Sequence, residues 1–489
     1  MTKQGQLSKQ VASGVAWNIV EKIGSTLLQI IVSIVVANRI MPNDLGIIAV
    51  LTVFCTLSQV VIDSGFSQML IRKKEPTASD YNTVFIFDLI ASLGLYALLV
   101  ATTPLVAKYY DWDLLSKVAP LLYLILPLNG LCVIQNSIMV REFRFATLST
   151  IIFTSSLVSG IIAIAMALSG FGIWSLVGQR VSMMATKALL LWWKSPWRPS
   201  RDMHSKSLKE MTPYSVRLII TDLITALYNN IAQLFIGKIY SANQLGYFNQ
   251  AQKLKDMPVN ATMLSIQNVT FSALSKINDD ENKFAEGYRR VIMLTTFIMF
   301  PIMVGLISTA EDIYLLLLKP QWYPAIPYFQ IMCLIGLFYP ISAIAYNVLK
   351  AQSNGAIILK LEVIKKVVMT IILLVTIPMS VKAITWGMVI AAACEMIFNT
   401  AASLQYTTLS VFRLLRTLTP IALLTATMLV ATEMVGYLTM DWGILTRLML
   451  KITIGVIVYI CGSRILRMEA FDETFTIARQ LLNKVLKKD

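Results

Sequence analysis

Lys22, Asp222, Lys253, Lys255, Asp256, Lys365, Lys366 and Glu395 each fall near the middle of a long apolar stretch, where charge is least expected. A charged side chain at the centre of a membrane helix costs about 2.5–3.5 kcal/mol on insertion scales, so it calls for an opposite charge, water or a ligand. The group holds five lysines and three acids, a basic excess. Amines in a wet cavity attract anions through charge-assisted hydrogen bonds. Lys22, Lys253 and Lys255 lead this candidate cationic cavity, with Lys365 and Lys366 behind them. Arg217 joins them, about 9 Å into its stretch at 1.5 Å per residue, deep enough to reach a cavity and shallow enough to snorkel. Asn229, Asn230, Asn249 and Gln252 are available to hydrogen-bond the hydroxyls of a sugar. Asp222, Asp256 and Glu395 are the candidate ion-coupling acids.

Other readings of the same residues stay open. Lys253 and Asp256 are three apart, a spacing that also lets them neutralise each other on one helix face. Lys365 and Lys366 are adjacent, hence about 100° apart around a helix, and cannot both serve one narrow site. His204 sits alone in a polar loop, and the five cysteines are scattered singly through apolar stretches. No metal site, disulfide framework or cofactor is expected from them, and no catalytic residue is assigned. A Gly-x-x-x-x-Gly-Lys-Ser/Thr phosphate loop is absent from the sequence, so ATP is not the expected energy source.

Holding charges at such depth requires long apolar elements, and the composition supplies them. Of 489 residues 56% are hydrophobic and 14% charged, with a mean hydropathy of +0.67, which excludes an ordinary soluble domain. Crossing a hydrocarbon core of about 30 Å takes about 20 helical residues. Helices are the expected form, since each satisfies its own backbone hydrogen bonds in lipid. Fourteen are predicted, at about 11–37, 44–70, 80–105, 114–140, 146–168, 172–193, 211–237, 243–275, 287–310, 324–350, 355–379, 383–407, 413–437 and 443–466. The first lacks a small-residue cleavage site and is expected to stay in the mature protein. Pro127, Pro258 and Pro340 are expected to interrupt the fourth, eighth and tenth.

Loop charge orients the helices. With the N-terminus inside, Arg72-Lys73-Lys74, Arg141/Arg144, the segment 194–209, Arg289-Arg290, Arg413/Arg416, Arg464/Arg467 and the lysine-rich end all fall on the cytoplasmic side. An even helix count puts both termini there. This asymmetry and attraction to anionic lipid account for most of the net charge of +15, and no nucleic-acid partner is indicated.

The chain also repeats itself. Asn43-Asp44-Leu45-Gly46 and Asn243-Gln244-Leu245-Gly246 lie 200 positions apart, each between two long apolar stretches. The expected organisation is an N-terminal lobe, 1–193, a cytoplasmic linker, 194–210, a C-terminal lobe, 211–407, and two further helices with a basic cytoplasmic tail, 408–489. Six helices per lobe make the repeats parallel.

Ala16-Trp17-Asn18, Ala37-Asn38-Arg39, Pro42 to Gly46 and Asp63-Ser64-Gly65-Phe66 through Lys74 resemble the opening helices of the bacterial lipid-linked oligosaccharide flippases and polysaccharide exporters. These belong to the multidrug/oligosaccharidyl-lipid/polysaccharide superfamily. Tyr247 to Pro258, Phe271 to Asp280 and Trp322 to Gln330 extend the likeness over nearly the whole chain, the last being similar to the exporters of colanic-acid-type units. The resemblance implies an all-α integral membrane protein of the inner membrane, not an enzyme. It implies translocation of undecaprenyl-pyrophosphate-linked oligosaccharide by alternating access, for exopolysaccharide, capsule or O-antigen (lipopolysaccharide) synthesis. Membrane lipids, a polysaccharide polymerase and chain-length machinery are the implied partners, and a proton or sodium gradient or the membrane potential the implied energy source. A cation-coupled multidrug antiporter is the alternative, disfavoured by the basic excess. A membrane polymerase or glycosyltransferase is further off, since the outer loops are short.

Overall fold

A computed structural model describes residues 21, 24–63, 66–73, 75–200, 205–276, 281–353 and 355–486. Among these no strand occurs, and the fold is all-α. The helices are α1 (Gly24–Ala37), α2 (Pro42–Asp63), α3 (Phe66–Arg72), α4 (Ala78–Tyr110), α5 (Asp113–Tyr123), α6 (Ile125–Gly130), α7 (Val133–Arg141), α8 (Phe145–Leu168) and α9 (Ile173–Lys194). They continue with α10 (Ser205–Ile239), α11 (Ala242–Lys276), α12 (Glu281–Leu317), α13 (Ile326–Gln352), α14 (Gly355–Thr376), α15 (Val381–Ser403), α16 (Val411–Leu438), α17 (Ile444–Ile465) and α18 (Glu469–Leu486).

Among the described residues nine helical segments are long and apolar enough to cross a membrane, or ten if the bent run α5–α7 is one span. The chain is a multi-pass membrane protein. Three further helices of 22 residues or more, α9, α11 and α14, miss that count. Each carries charge within an apolar run: Arg180 and Lys187, Lys253 to Asp256, and Lys360 to Lys366. With α1, each of the fourteen segments expected from the sequence is helical over most of its described residues, the first of them over Gly24–Ala37. Of the three helices expected to be interrupted by proline, only the fourth is broken, bending 41° between Gly130 and Val133. The eighth and tenth, α11 and α13, run unbroken through Pro258 and Pro340.

By compactness the chain divides into Met1–Asn249 and Gln250–Asp489. In the first unit α2 packs against α10, α4, α6 and α9, and α8 lies along α9. The repeated turn motif has a steric explanation here. A Cβ on Gly46, in the first turn of α2, would lie 1.9 Å from the Ala242 carbonyl oxygen. A Cβ on Gly246, in the first turn of α11, would lie 1.9 Å from the Pro42 carbonyl oxygen. Backbone meets backbone at both places, so no side chain can rotate away to make room. Two aromatics at the end of α4 brace the same region: the Tyr110 hydroxyl donates to the Leu234 carbonyl at 3.3 Å, and Lys238 lies over the Tyr109 ring at 4.5 Å.

In the second unit α12 packs against α13, α16 and α17, and α13 against α15. Asp312 on α12 is fully buried and serves two cations of α17. Its Oδ1 accepts from Arg447 Nε, and Lys451 Nζ lies 2.9 Å from its Oδ2 and 3.0 Å from the Ser308 carbonyl oxygen. The tail after α17 folds as α18, where the sequence reading expected only a basic tail; Arg289 and Arg290 of α12 hold it through Glu469 and Glu473, both at 2.6 Å.

Two outcomes test these contacts. Gly46→Ala and Gly246→Ala should each cost about 1–3 kcal/mol, the usual penalty of overpacking, while Gly94→Ala, where a Cβ meets nothing within 4 Å, should be neutral or stabilising. Thermal midpoints of the detergent-solubilised protein read both. Asp312→Asn should cost about 3–5 kcal/mol, because buried Lys451 and half-buried Arg447 lose their counterion. An unchanged midpoint would show that α17 is held to α12 by packing alone.

Candidate functional site

Within the first unit the richest polar constellation lies on α2, α4, α6 and α9. Arg180, Lys187 and Lys194 are seven residues apart on α9, two helical turns, and so share one face. Arg180 comes within electrostatic range of Cys55 on α2, and Lys187 of Asp63 at the end of α2 and of Cys132 ahead of α7. Arg180 and Lys187 therefore lie near groups carried by neighbouring helices. Arg180 and Asp63 are nevertheless exposed, while Cys55 and Cys132 are buried. A charged face that lies beside neighbouring helices and is still accessible describes a wet cleft, the setting in which charge survives at membrane depth.

Asp63 accepts a hydrogen bond from the Asn129 amide of α6 at 2.7 Å. Asp88 of α4 comes within electrostatic range of Asp63, is fully buried, and among the described residues has no hydrogen-bond partner on either carboxylate oxygen. The close approach of α6 to α4 confines it: a Cβ on Gly130 would sit 2.4 Å from Ser92 Oγ and 3.3 Å from the Asp88 carbonyl oxygen. An unpartnered carboxylate inside a membrane helix marks a proton or ion path more often than a structural element.

The residues singled out from the sequence are distributed as follows. Lys22 lies outside the described residues. In the first unit Arg217 and Asn229 of α10 are exposed and Asp222 is half-buried. The Asn230 amide donates to the Ala226 carbonyl at 2.8 Å and the Asn249 amide to the Leu245 carbonyl at 3.1 Å, each along its own helix, which leaves their side-chain carbonyls as acceptors. In the second unit Gln252 and Lys253 are half-buried. Asp256 forms an ion pair with its neighbour Lys255.

Lys365, with 9% of its side chain exposed, reaches Glu362 one turn back and Glu395 of α15 at 3.3 Å. It also lies 5.0 Å over the ring of Tyr346, which Lys350 approaches at 4.6 Å. Its charge is therefore engaged twice over by acids and once by a π face. Lys366 is half-buried beside it.

The sequence reading passed over Arg180, Lys187 and Asp88. The signal was present: 1.5 Å per residue puts Arg180 about 11 Å into α9 and Asp88 about 15 Å into α4, and the heptad spacing of the α9 cations is visible in the letters. The partners were not visible, since Asn129 is 66 residues from Asp63 and Glu395 is 30 from Lys365.

A protein family described as polysaccharide biosynthesis protein matches residues 35–327. The teichuronic acid biosynthesis protein TuaB of Bacillus subtilis (strain 168) is 23% identical over 338 residues, covering 68% of this chain and 69% of that protein. The succinoglycan biosynthesis transport protein ExoT of Rhizobium meliloti (strain 1021) is 22% identical over 366 residues, 74% of each chain. Among solved structures, a lipid II flippase, MurJ, in an inward closed conformation superposes with a TM-score of 0.74 at 17% identity, covering 91% of this chain and 98% of that one. The likeness to MurJ shows a shared all-α fold. The chain belongs to the polysaccharide biosynthesis protein family.

Proposed function

We propose that this member of the polysaccharide biosynthesis family is a flippase of the bacterial inner membrane. It carries undecaprenyl-pyrophosphate-linked oligosaccharide repeat units from the cytoplasmic to the periplasmic leaflet by alternating access, and both its termini are cytoplasmic. The observation that carries this reading is the accessible cationic face of α9, Arg180 with Lys187. A diphosphate is the group such a face draws out of a leaflet, because charge-assisted hydrogen bonds strengthen where water is scarce. The names of the relatives, a teichuronic acid biosynthesis protein and a succinoglycan transport protein, support a saccharide cargo.

The division of labour follows from chemistry. Arg180 and Lys187 bind the diphosphate, with Arg217 of the same unit as a further cation. Lys255, Lys365 and Lys366 stand in reserve, the first two being matched by acids in the present conformation. Asn229, with Asn230, Asn249 and Gln252, offers hydrogen bonds to sugar hydroxyls, and the prenyl chain stays in the bilayer. No bond in the cargo is made or broken, so the chain is not an enzyme. Asp63 and Asp88 join Asp222, Asp256 and Glu395 as the acids through which an ion gradient drives the cycle. The delivered repeat units pass to a polymerase and its chain-length partner, or to ligation.

Arg180→Gln with Lys187→Gln is the test. Each lost charge-assisted bond is worth about 1.5–3 kcal/mol, so transfer of a lipid-linked oligosaccharide in reconstituted vesicles should fall at least about a hundredfold for the pair. Membrane insertion should be unchanged, and Lys194→Gln, at the end of the same face, should transfer normally. Undiminished transfer by the inserted double variant would remove the cationic cleft from the mechanism. Export of a cationic drug, with no response to lipid-linked sugar, would favour the antiporter reading.

A further inference from the structure

A second basic constellation lies within the second unit, where α12 and α16 begin and α17 turns into α18. A cavity of about 510 Å³ there is lined by Arg289, Arg413, Arg416 and Arg467. All four arginines stand on stretches that the loop-charge asymmetry assigns to the cytoplasmic side. Arg289 is buried and held by Glu286 and by Glu469. Arg413 shares Glu286 at 3.0 Å. Arg416 and Arg467 are exposed and make no ion pair among the described residues. Four guanidiniums against two carboxylates leave a surplus of two positive charges around one concavity, and guanidiniums bind phosphate oxygens bidentately.

The backbone presents this surplus deliberately. Arg467 adopts a left-handed conformation, φ 46°, as α17 ends; the Met468 amide then donates back to the Ser463 carbonyl at 3.0 Å, and α18 departs at once. That turn puts the Arg467 side chain on the cavity wall beside α16. The other part of the wall is apolar, with Met293, Pro420 and Ile421. Large apolar side chains on the same turns face outward: Phe412 is 75% exposed and Ile465 79%. On α18, Phe475 is exposed and stacks on Phe471 with ring centroids 6.3 Å apart, the pattern of a helix lying in an interface.

We propose that this cavity is a binding site for the headgroup of an anionic phospholipid, its phosphate taken by Arg416 and Arg467 and its acyl chains lying along the apolar faces of α16 and α17. A free phosphate would use the charge but gain nothing from the exposed apolar rim, whereas a phospholipid uses both. The site ties the α12, α16 and α17 ends, and α18, to the leaflet and does not depend on what the protein transports.

Native mass spectrometry of the full-length detergent-solubilised protein, titrated with phosphatidylglycerol, tests this, with phosphatidylcholine and inorganic phosphate in parallel arms. Basic residues at a membrane surface contribute about 1 kcal/mol each, so Arg416→Gln with Arg467→Gln should weaken phosphatidylglycerol binding about thirtyfold. Arg416→Lys with Arg467→Lys should retain most of the affinity, which separates lost charge from disturbed folding. Equal binding of phosphatidylglycerol by the glutamine variant, or equal binding of phosphatidylcholine by the unaltered protein, would overturn the proposal. So would displacement of the lipid by equimolar inorganic phosphate, which would identify a site for the soluble anion.

Discussion

A charge held in hydrocarbon must be answered by something, and this chain answers its charges in two different ways. In the second unit the answers are internal. Asp312 sits between Arg447 and Lys451, Lys365 between Glu362 and Glu395, and Lys255 against Asp256. Such sites are closed: each cation has its acid, and the contacts fasten α12 to α17 and α14 to α15. In the first unit some charges are left accessible. Arg180 is accessible, and Asp63, an acid within electrostatic range of Lys187, is already committed to Asn129. Closed charges confer rigidity because opening them strands a buried ion. Open charges keep their affinity for whatever anion arrives.

The helical plan was legible because lipid leaves the sequence few alternatives, and apolar runs of about 20 residues announce themselves. Departures from the plan arose where packing rather than composition decided the outcome. α5–α7 bends next to Gly130, where α4 comes within contact of the backbone, whereas Pro258 and Pro340 are absorbed by helices that continue. α18 was hidden because its two acids, Glu469 and Glu473, pair with arginines 180 and 183 residues away, and a linear reading saw only the lysines that follow.

The candidate site was legible in kind and incomplete in membership. Deep charge, a basic excess and amide side chains were all apparent in the letters. Arg180 and Lys187 lie near the middle of α9 and were passed over all the same, and the face they share shows only at a period of seven. Asp88 was passed over for a different reason: one acid in a long apolar run carries no pattern, and only its complete burial without a partner among the described residues sets it apart.

The paired glycines carry a meaning beyond sterics. Pro42 and Gly46 occupy the same places in the first repeat that Ala242 and Gly246 occupy in the second, and each glycine rests on the other repeat's carbonyl. The contact maps onto itself when the repeats are exchanged, as the interface of a two-fold symmetric homodimer does. A half-length progenitor could have met a second copy of itself through this one patch, with a functional assembly in existence before the two copies were joined in a single gene.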